Sequence, residues 1–201
     1  MHFTELIHSQ VYNFLNSNNL IPDNLPLKFY WQREESLDPG SYIVYQTEQF
    51  QLDNKLDTGY TNFLNNAKIV YEYSELNLQY YSNSIYKPFL PIITSSYIDQ
   101  EKEYDILFYG TITDRRKEIL DKLKLDYNIY VIQDTTVEEM ERLISISKYV
   151  LSIGIKNNKY NDCLRVMPAL QLGGNILLEE SEEKWYMDYL KEHYSNRIKI
   201  I

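Results

Sequence analysis

From residue 103 onward, short apolar runs alternate with segments whose apolar residues recur every three or four positions, the two patterns that separate buried strands from amphipathic helices. Asp105 to Tyr109 reads as a strand, and Arg115 to Leu125 as a helix with Ile119, Leu120 and Leu123 on one face. Asn128 to Gln133 is the next predicted strand. Thr136 to Ser147 follows as a helix opened by a capping box of Thr136 with Glu139 and striped by Val137, Met140, Leu143 and Ile144. Tyr149 to Ile153 is the third strand, Pro168 to Leu172 lies in a short helix ended by Gly173 and Gly174, and Ile176 to Leu178 is the fourth strand. Glu182 to Tyr194 forms a last helix, with Ile198 to Ile201 as an edge strand. Strands alternating with helices of this length imply right-handed crossovers and a parallel sheet.

The first 98 residues are less regular but similar in character. Phe3 to Leu15 has the pattern of an amphipathic helix, Tyr42 to Gln46 of a strand, Gly59 to Ala67 of a helix and Ile69 to Tyr73 of a strand. Ser74 to Ser82 is expected to be another helix, and Phe89 to Ile92 a short extended piece. The polar stretch 94 to 103 lacks periodicity and reads as a linker. The expected organisation is therefore α/β, with two Rossmann-like units on parallel sheets, residues 1–98 and 99–201. Two such halves are expected to leave a ligand-binding cleft.

Composition narrows the chemistry. Hydrophobic residues at 44 % and charged residues at 24 % of 201 describe a globular chain rather than a disordered one. The 20 Tyr, with many Asn, Lys and Ile, point to an AT-rich coding sequence. A formal net charge of −9 repels nucleic acid and anionic membranes. The single cysteine, Cys163, has no internal disulfide partner, and no apolar segment is long enough to span a bilayer or act as a secretory signal, so the expected setting is cytoplasmic. His2, His8 and His193 have no zinc-ligand spacing, no D-x-D triplet is present, and no cofactor or metal is implied.

Ligands of open parallel sheets bind beyond the carboxyl ends of the strands, which selects three loops. In the first, Gly110 permits close backbone approach, Thr111 and Thr113 offer hydroxyls, and the start of the next helix turns amide hydrogens outward. Arg115 and Arg116 add guanidinium groups suited to phosphate, with Asp114 as the expected helix cap. The alternative is a plain strand-to-helix turn with solvated arginines. The second loop, Ile153 to Leu170, is long for such a connection. Because Pro168 belongs in the first turn of a helix, the helix is expected to begin near Arg165 or later, leaving Lys156, Asn161, Asp162 and Arg165 at the loop or helix mouth. Asp162 could accept sugar hydroxyls and Lys156 or Arg165 could neutralise phosphate; the alternative is a local Asp162 to Arg165 ion pair. The third loop, Gln133 to Thr136, carries Asp134 and reads as a capped turn. Neither the G-x-G-x-x-G fingerprint nor the Gly-Lys-Ser/Thr phosphate loop occurs.

Taken together, "FYGTITDRR" (108 to 116), "SKYVLSIGI" (147 to 155) and "DCLRVMPAL" (162 to 170) resemble the carboxyl-terminal half of GT-B-type glycosyltransferases found in large DNA viruses and some bacteria. "YIVYQTEQF" (Tyr42 to Phe50) and "YEYSELN" (Tyr71 to Asn77) are similar to segments of that group's first half, so the resemblance covers about residues 40 to 180. It implies a GT-B-like pair of domains with a reduced amino-terminal unit. The implied reaction transfers a sugar from a nucleotide-sugar donor to a glycan or other hydroxyl acceptor, in the cytoplasm, or the host cytoplasm for a viral protein. Gly110, Thr111 and Arg115 would face the donor diphosphate, Asp162 would take the first acidic position and Arg165 the arginine. Pro168 stands where the group has a second acidic residue, and the usual opening strand with its glycine turn is not visible before residue 25.

Two functional outcomes stay open from these residues, beside a purely structural protein, in which the long 154 to 167 loop and the Gly110 turn would lack a purpose. One is a metal-independent transferase with Glu48 as acceptor base, His8 second, and a protein partner completing the acceptor side. The other is a non-catalytic module that binds a nucleotide or sugar phosphate. A phospho-acceptor receiver domain is excluded, because its acidic strand ends are replaced by "YGT" and "IGI".

Overall fold

The computed structural model describes residues 3–22, 25–29, 32, 37–47, 58–88, 100–155, 160 and 163–201, the side chains of residues 3–6 excepted. Its backbone forms two compact units, His8–Phe89 and Leu90–Ile201 with Met1–Ile7. The fold is α/β, and each unit is built on a parallel sheet in the Rossmann-like manner.

Helix α1 (Phe3–Ser17) is followed by β1 (Leu27–Lys28), β2 (Ile43–Gln46), α2 (Thr58–Asn66), β3 (Ile69–Glu72) and β4 (Ser84–Tyr86). The four strands pair in the order β1-β2-β3-β4, every pair parallel. Every residue of β2 is buried, the polar Gln46 included, as expected when both faces of a parallel sheet are covered. Tyr60, Phe63 and Leu64 of α2 pack on Tyr42, Val44 and Val70. The many tyrosines are part of this core, and each buried hydroxyl needs an acceptor. Tyr42 stacks on Phe63 at 5.2 Å and donates to its carbonyl at 2.6 Å. Tyr45 donates to Lys87 O at 2.9 Å, Tyr60 to Gln46 Oε1 at 3.0 Å, and Tyr71 to Leu20 O.

The helix expected after β3 is present, in the tighter form. It is a 3-10 helix, Glu75–Tyr80, capped by the Ser74 hydroxyl, which accepts from Leu76 N at 3.2 Å. The buried Glu72 carboxylate accepts from Ser74 N and Asn77 Nδ2, each at 3.1 Å, and from the Tyr81 hydroxyl. Those three donors tie the start, the middle and the end of the 3-10 segment to the end of β3. Strands β1 and β4, two and three residues long, are too short to show a period. The extended piece expected at Phe89 to Ile92 lies outside the described residues.

The second unit runs β5 (Tyr104–Tyr109), α3 (Asp114–Leu123), β6 (Ile129–Ile132), α4 (Val137–Ser145), β7 (Ser147–Ser152), α5 (Cys163–Gln171), β8 (Ile176–Leu178), α6 (Lys184–Tyr194) and β9 (Ile198–Ile200). The strand order is β6-β5-β7-β8-β9, all parallel, with β9 at the edge as the pattern predicts. The direction of winding reverses between β5 and β7, so the switch point of this sheet lies at the carboxyl ends of those two strands. Leu120 of α3 packs on Ile106, Phe108, Leu151 and Ile153, with Ile119 and Leu123 beside it.

Two helix starts differ from the sequence reading. Thr113, not Asp114, caps α3: its hydroxyl accepts from Arg116 N at 3.4 Å and donates to Ile155 O at 2.8 Å, a contact from 42 residues away that settles the competition between the two caps. Helix α5 begins at Cys163, ahead of the expected start, and carries Pro168 in its interior. A proline there forfeits a backbone hydrogen bond and costs ~3 kcal/mol. Val166, Met167, Ala169 and Leu170 are fully buried around it, and burial of large apolar side chains at ~1.5–3 kcal/mol each offsets that cost. The helix stops as expected: Gly173, with φ +85°, and Gly174 return their amides to Leu170 O at 3.1 Å and Ala169 O at 2.8 Å.

Candidate functional site

The switch point is built on Gly110. Its φ of +125° is outside the range that side-chain-bearing residues adopt readily. A β-carbon there would also lie 2.6 Å from Arg165 Nη2. The close approach that the sequence attributes to Gly110 is thus made, within the protein, by a guanidinium. Arg165 sits in the first turn of α5, is buried, and donates from Nε to Tyr109 O at 2.8 Å. The Tyr109 hydroxyl donates back to Arg165 O at 2.7 Å. Arg165 also lies 5.0 Å from the Phe108 ring centroid and 5.6 Å from that of Tyr109, within cation–π range.

The neighbouring arginines divide their work. Arg116 is buried and holds the two strand-end loops together: Nε and Nη2 donate to Ile153 O at 3.1 and 2.8 Å, and Nη1 donates to Thr111 O at 2.9 Å. It is not one of the solvated arginines of the plain-turn alternative. Arg115 is partly exposed and donates from Nη1 to Gly154 O at 2.9 Å and from Nη2 to Glu179 Oε1. The second oxygen of Glu179 accepts from Gly154 N at 2.9 Å. Thr111 is exposed beside them. From the third loop, Gln133 Oε1 accepts from Ile112 N at 3.4 Å, and Asp134 is exposed.

Gly110, Thr111, Thr113, Arg115 and Arg165 therefore come together at the carboxyl ends of β5 and β7. Lys156, Asn161, Asp162 and Glu48 lie outside the described residues. His8 packs against Phe29 in the other unit, with ring centroids 5.1 Å apart and the rings tilted by 52°. Sequence reasoning missed two participants. Tyr109 reads as the last apolar residue of a strand, and Glu179 follows β8 with no motif of its own. In the other unit, Glu72 of "YEYSELN" is buried at the carboxyl end of β3. Around Glu72, burial and the carboxylate charge hold the Tyr81 hydroxyl far above the usual phenol range. Among the described residues, no group of three or more His, Cys, Asp or Glu is arranged to hold a metal ion, and no helix is long and apolar enough to cross a membrane.

No protein-family model matches the chain. Over 123 residues it is 29% identical to an uncharacterized protein of Acanthamoeba polyphaga mimivirus, an alignment that takes in 56% of this chain and 16% of the viral protein.

Proposed function

We propose that the protein is a metal-independent glycosyltransferase whose second unit binds the diphosphate of a nucleotide-sugar donor. The observation that carries this reading is the convergence of Arg115, Arg165 and the Gly110 turn at the β5–β7 switch point, next to the amide-bearing start of α3. In the reaction, the acceptor hydroxyl oxygen attacks the anomeric carbon and the bond from that carbon to the diphosphate oxygen breaks. The bonding pair leaves with the diphosphate, and the hydroxyl proton passes to a base, for which Glu48 is the candidate. The charge that builds on the leaving diphosphate meets the Arg115 guanidinium and the first-turn amides of α3, donors already fixed before the reaction. Thr111 and Asp162 are assigned to the donor, with Lys156 and Asn161 on the same loop.

A specific observation favours a second reading, a binding module without turnover. Pro168 is buried inside α5, where the resemblance has an acidic residue that would meet donor hydroxyls.

Calorimetric titration with UDP, GDP, ADP and their common sugar conjugates, repeated on Arg115→Ala, tests both. Binding of one nucleotide class that is lost in the variant, with an unchanged circular dichroism spectrum, supports the donor site. Release of nucleoside diphosphate from the bound conjugate then supports the transferase, and binding without release supports the module. Binding of none of them overturns both.

A further inference from the structure

We infer that Glu179 is the internal occupant of an anion site whose exchangeable ligand is a phosphoryl group. The inference rests on the donor reading above and names what the ligand must displace. Two donors of separate origin converge on one carboxylate: Arg115 Nη2, from the first turn of α3, on Oε1, and Gly154 N, from the loop after β7, on Oε2 at 2.9 Å. Arg115 Nη1 in turn holds Gly154 O at 2.9 Å. Guanidinium, peptide and carboxylate thus close a ring in which both carboxylate oxygens accept.

A guanidinium edge paired with a backbone amide is also what a phosphoryl group takes, through two of its oxygens. The donors stand by the switch point, where ligands of open parallel sheets bind. Solvent reaches Arg115 and Glu179, whose side chains keep 28% and 19% of their exposure, while Gly154 itself is buried. The backbone of Glu179 is anchored by its amide to Ser152 O at 3.0 Å. Exchange therefore needs only rotation of the Glu179 side chain into water, with the phosphoryl oxygens taking over Arg115 Nη2 and Gly154 N. Until then, the carboxylate neutralises Arg115 and competes with any anion that arrives. A diphosphate, with more charge and more oxygens, displaces it where a monoanion does not.

The test uses inorganic pyrophosphate on the full chain and on Glu179→Gln, which keeps an oxygen for the Gly154 amide but removes the competing charge. Loss of a partly exposed charge pair is expected to tighten pyrophosphate binding about three- to tenfold. In the wild-type protein, the Gly154 amide resonance should move on saturation with pyrophosphate. Equal or weaker binding by Glu179→Gln, or an unmoved Gly154 amide in a saturated wild-type sample, overturns the inference. If the wild type binds a nucleoside diphosphate and these results fail, the donor reading stands without it. If neither protein binds pyrophosphate or any nucleoside diphosphate, both fall together.

Discussion

Arg165 and Tyr109 hold each other through a reciprocal pair of hydrogen bonds, 2.8 Å from Arg165 Nε to Tyr109 O and 2.7 Å from the Tyr109 hydroxyl to Arg165 O. The pair ties the first turn of α5 to the end of β5, so the guanidinium is positioned by backbone rather than by a flexible stem. Tyr109→Phe should lower stability by ~0.5–1.5 kcal/mol, the net value of one such bond. Arg165→Met leaves a buried carbonyl without its donor and should cost ~1–3 kcal/mol. Urea unfolding at an unchanged slope measures both, and a Tyr109→Phe variant as stable as the wild type would show that the hydroxyl bond contributes nothing.

Gly110 combines a positive φ with a close neighbour, whereas Gly40 has φ +77° with nothing within 4 Å of where a β-carbon would be. Gly40→Ala is therefore expected to cost about 1 kcal/mol, the conformational part alone. Gly110→Ala adds displacement of Arg165 and should cost about 3 kcal/mol or more. Equal thermal shifts for the two variants would refute the close-approach argument.

Adjacent arginines should behave oppositely. Arg116→Met removes three hydrogen bonds, two to the buried Ile153 carbonyl and one to Thr111 O, and should destabilise by ~2–5 kcal/mol. Arg115→Met loses a partly exposed pair worth ~1 kcal/mol at most, yet should abolish nucleoside diphosphate binding. A variant Arg115→Met that binds as the wild type does would place the diphosphate elsewhere.

Asp105 links three strands at their amino ends: it pairs with Lys148 of β7 at 2.7 Å and accepts from Asn128 N, just before β6, at 2.9 Å. The Lys148 hydrogen bond, then that amide, holds its carboxyl below the usual aspartate range. A depressed folded-state value means a stabilising contribution present above the unfolded pKa of about 3.9 and lost as pH falls through the folded one. Lys148 is raised by the same partner, so its contribution is present below its unfolded value of about 10.4 and lost as pH rises through the folded one. Asp105→Asn should flatten the fall of melting temperature below about pH 4. An acid limb as steep as that of the wild type would count against the pairing.

Much of the second unit was legible because its signals are local. Ile176 to Leu178 is a strand with the predicted bounds, and Thr136 caps α4 by accepting from Glu139 N at 3.3 Å. Only half of that capping box forms, since the Glu139 carboxylate is taken by Arg142 at 2.9 Å. The first unit was harder to read. Its two outer strands are short, and the 3-10 helix after β3 is tied to a carboxylate buried in the core.

The sequence by itself determined the alternation of strands and helices, the parallel sheets and the glycine turn at residue 110, because periodicity and turn chemistry act over a few neighbouring residues. It also brought forward Arg115 and Arg165 as candidate cations. Only the tertiary structure decided what those groups touch: Thr113 rather than Asp114 as cap, Pro168 inside a buried helix, Arg116 as a strut and Glu179 on Arg115. Each of these depends on a carbonyl, carboxylate or packed surface brought from 37 to 64 residues away or from the buried core, and no local pattern encodes such a meeting.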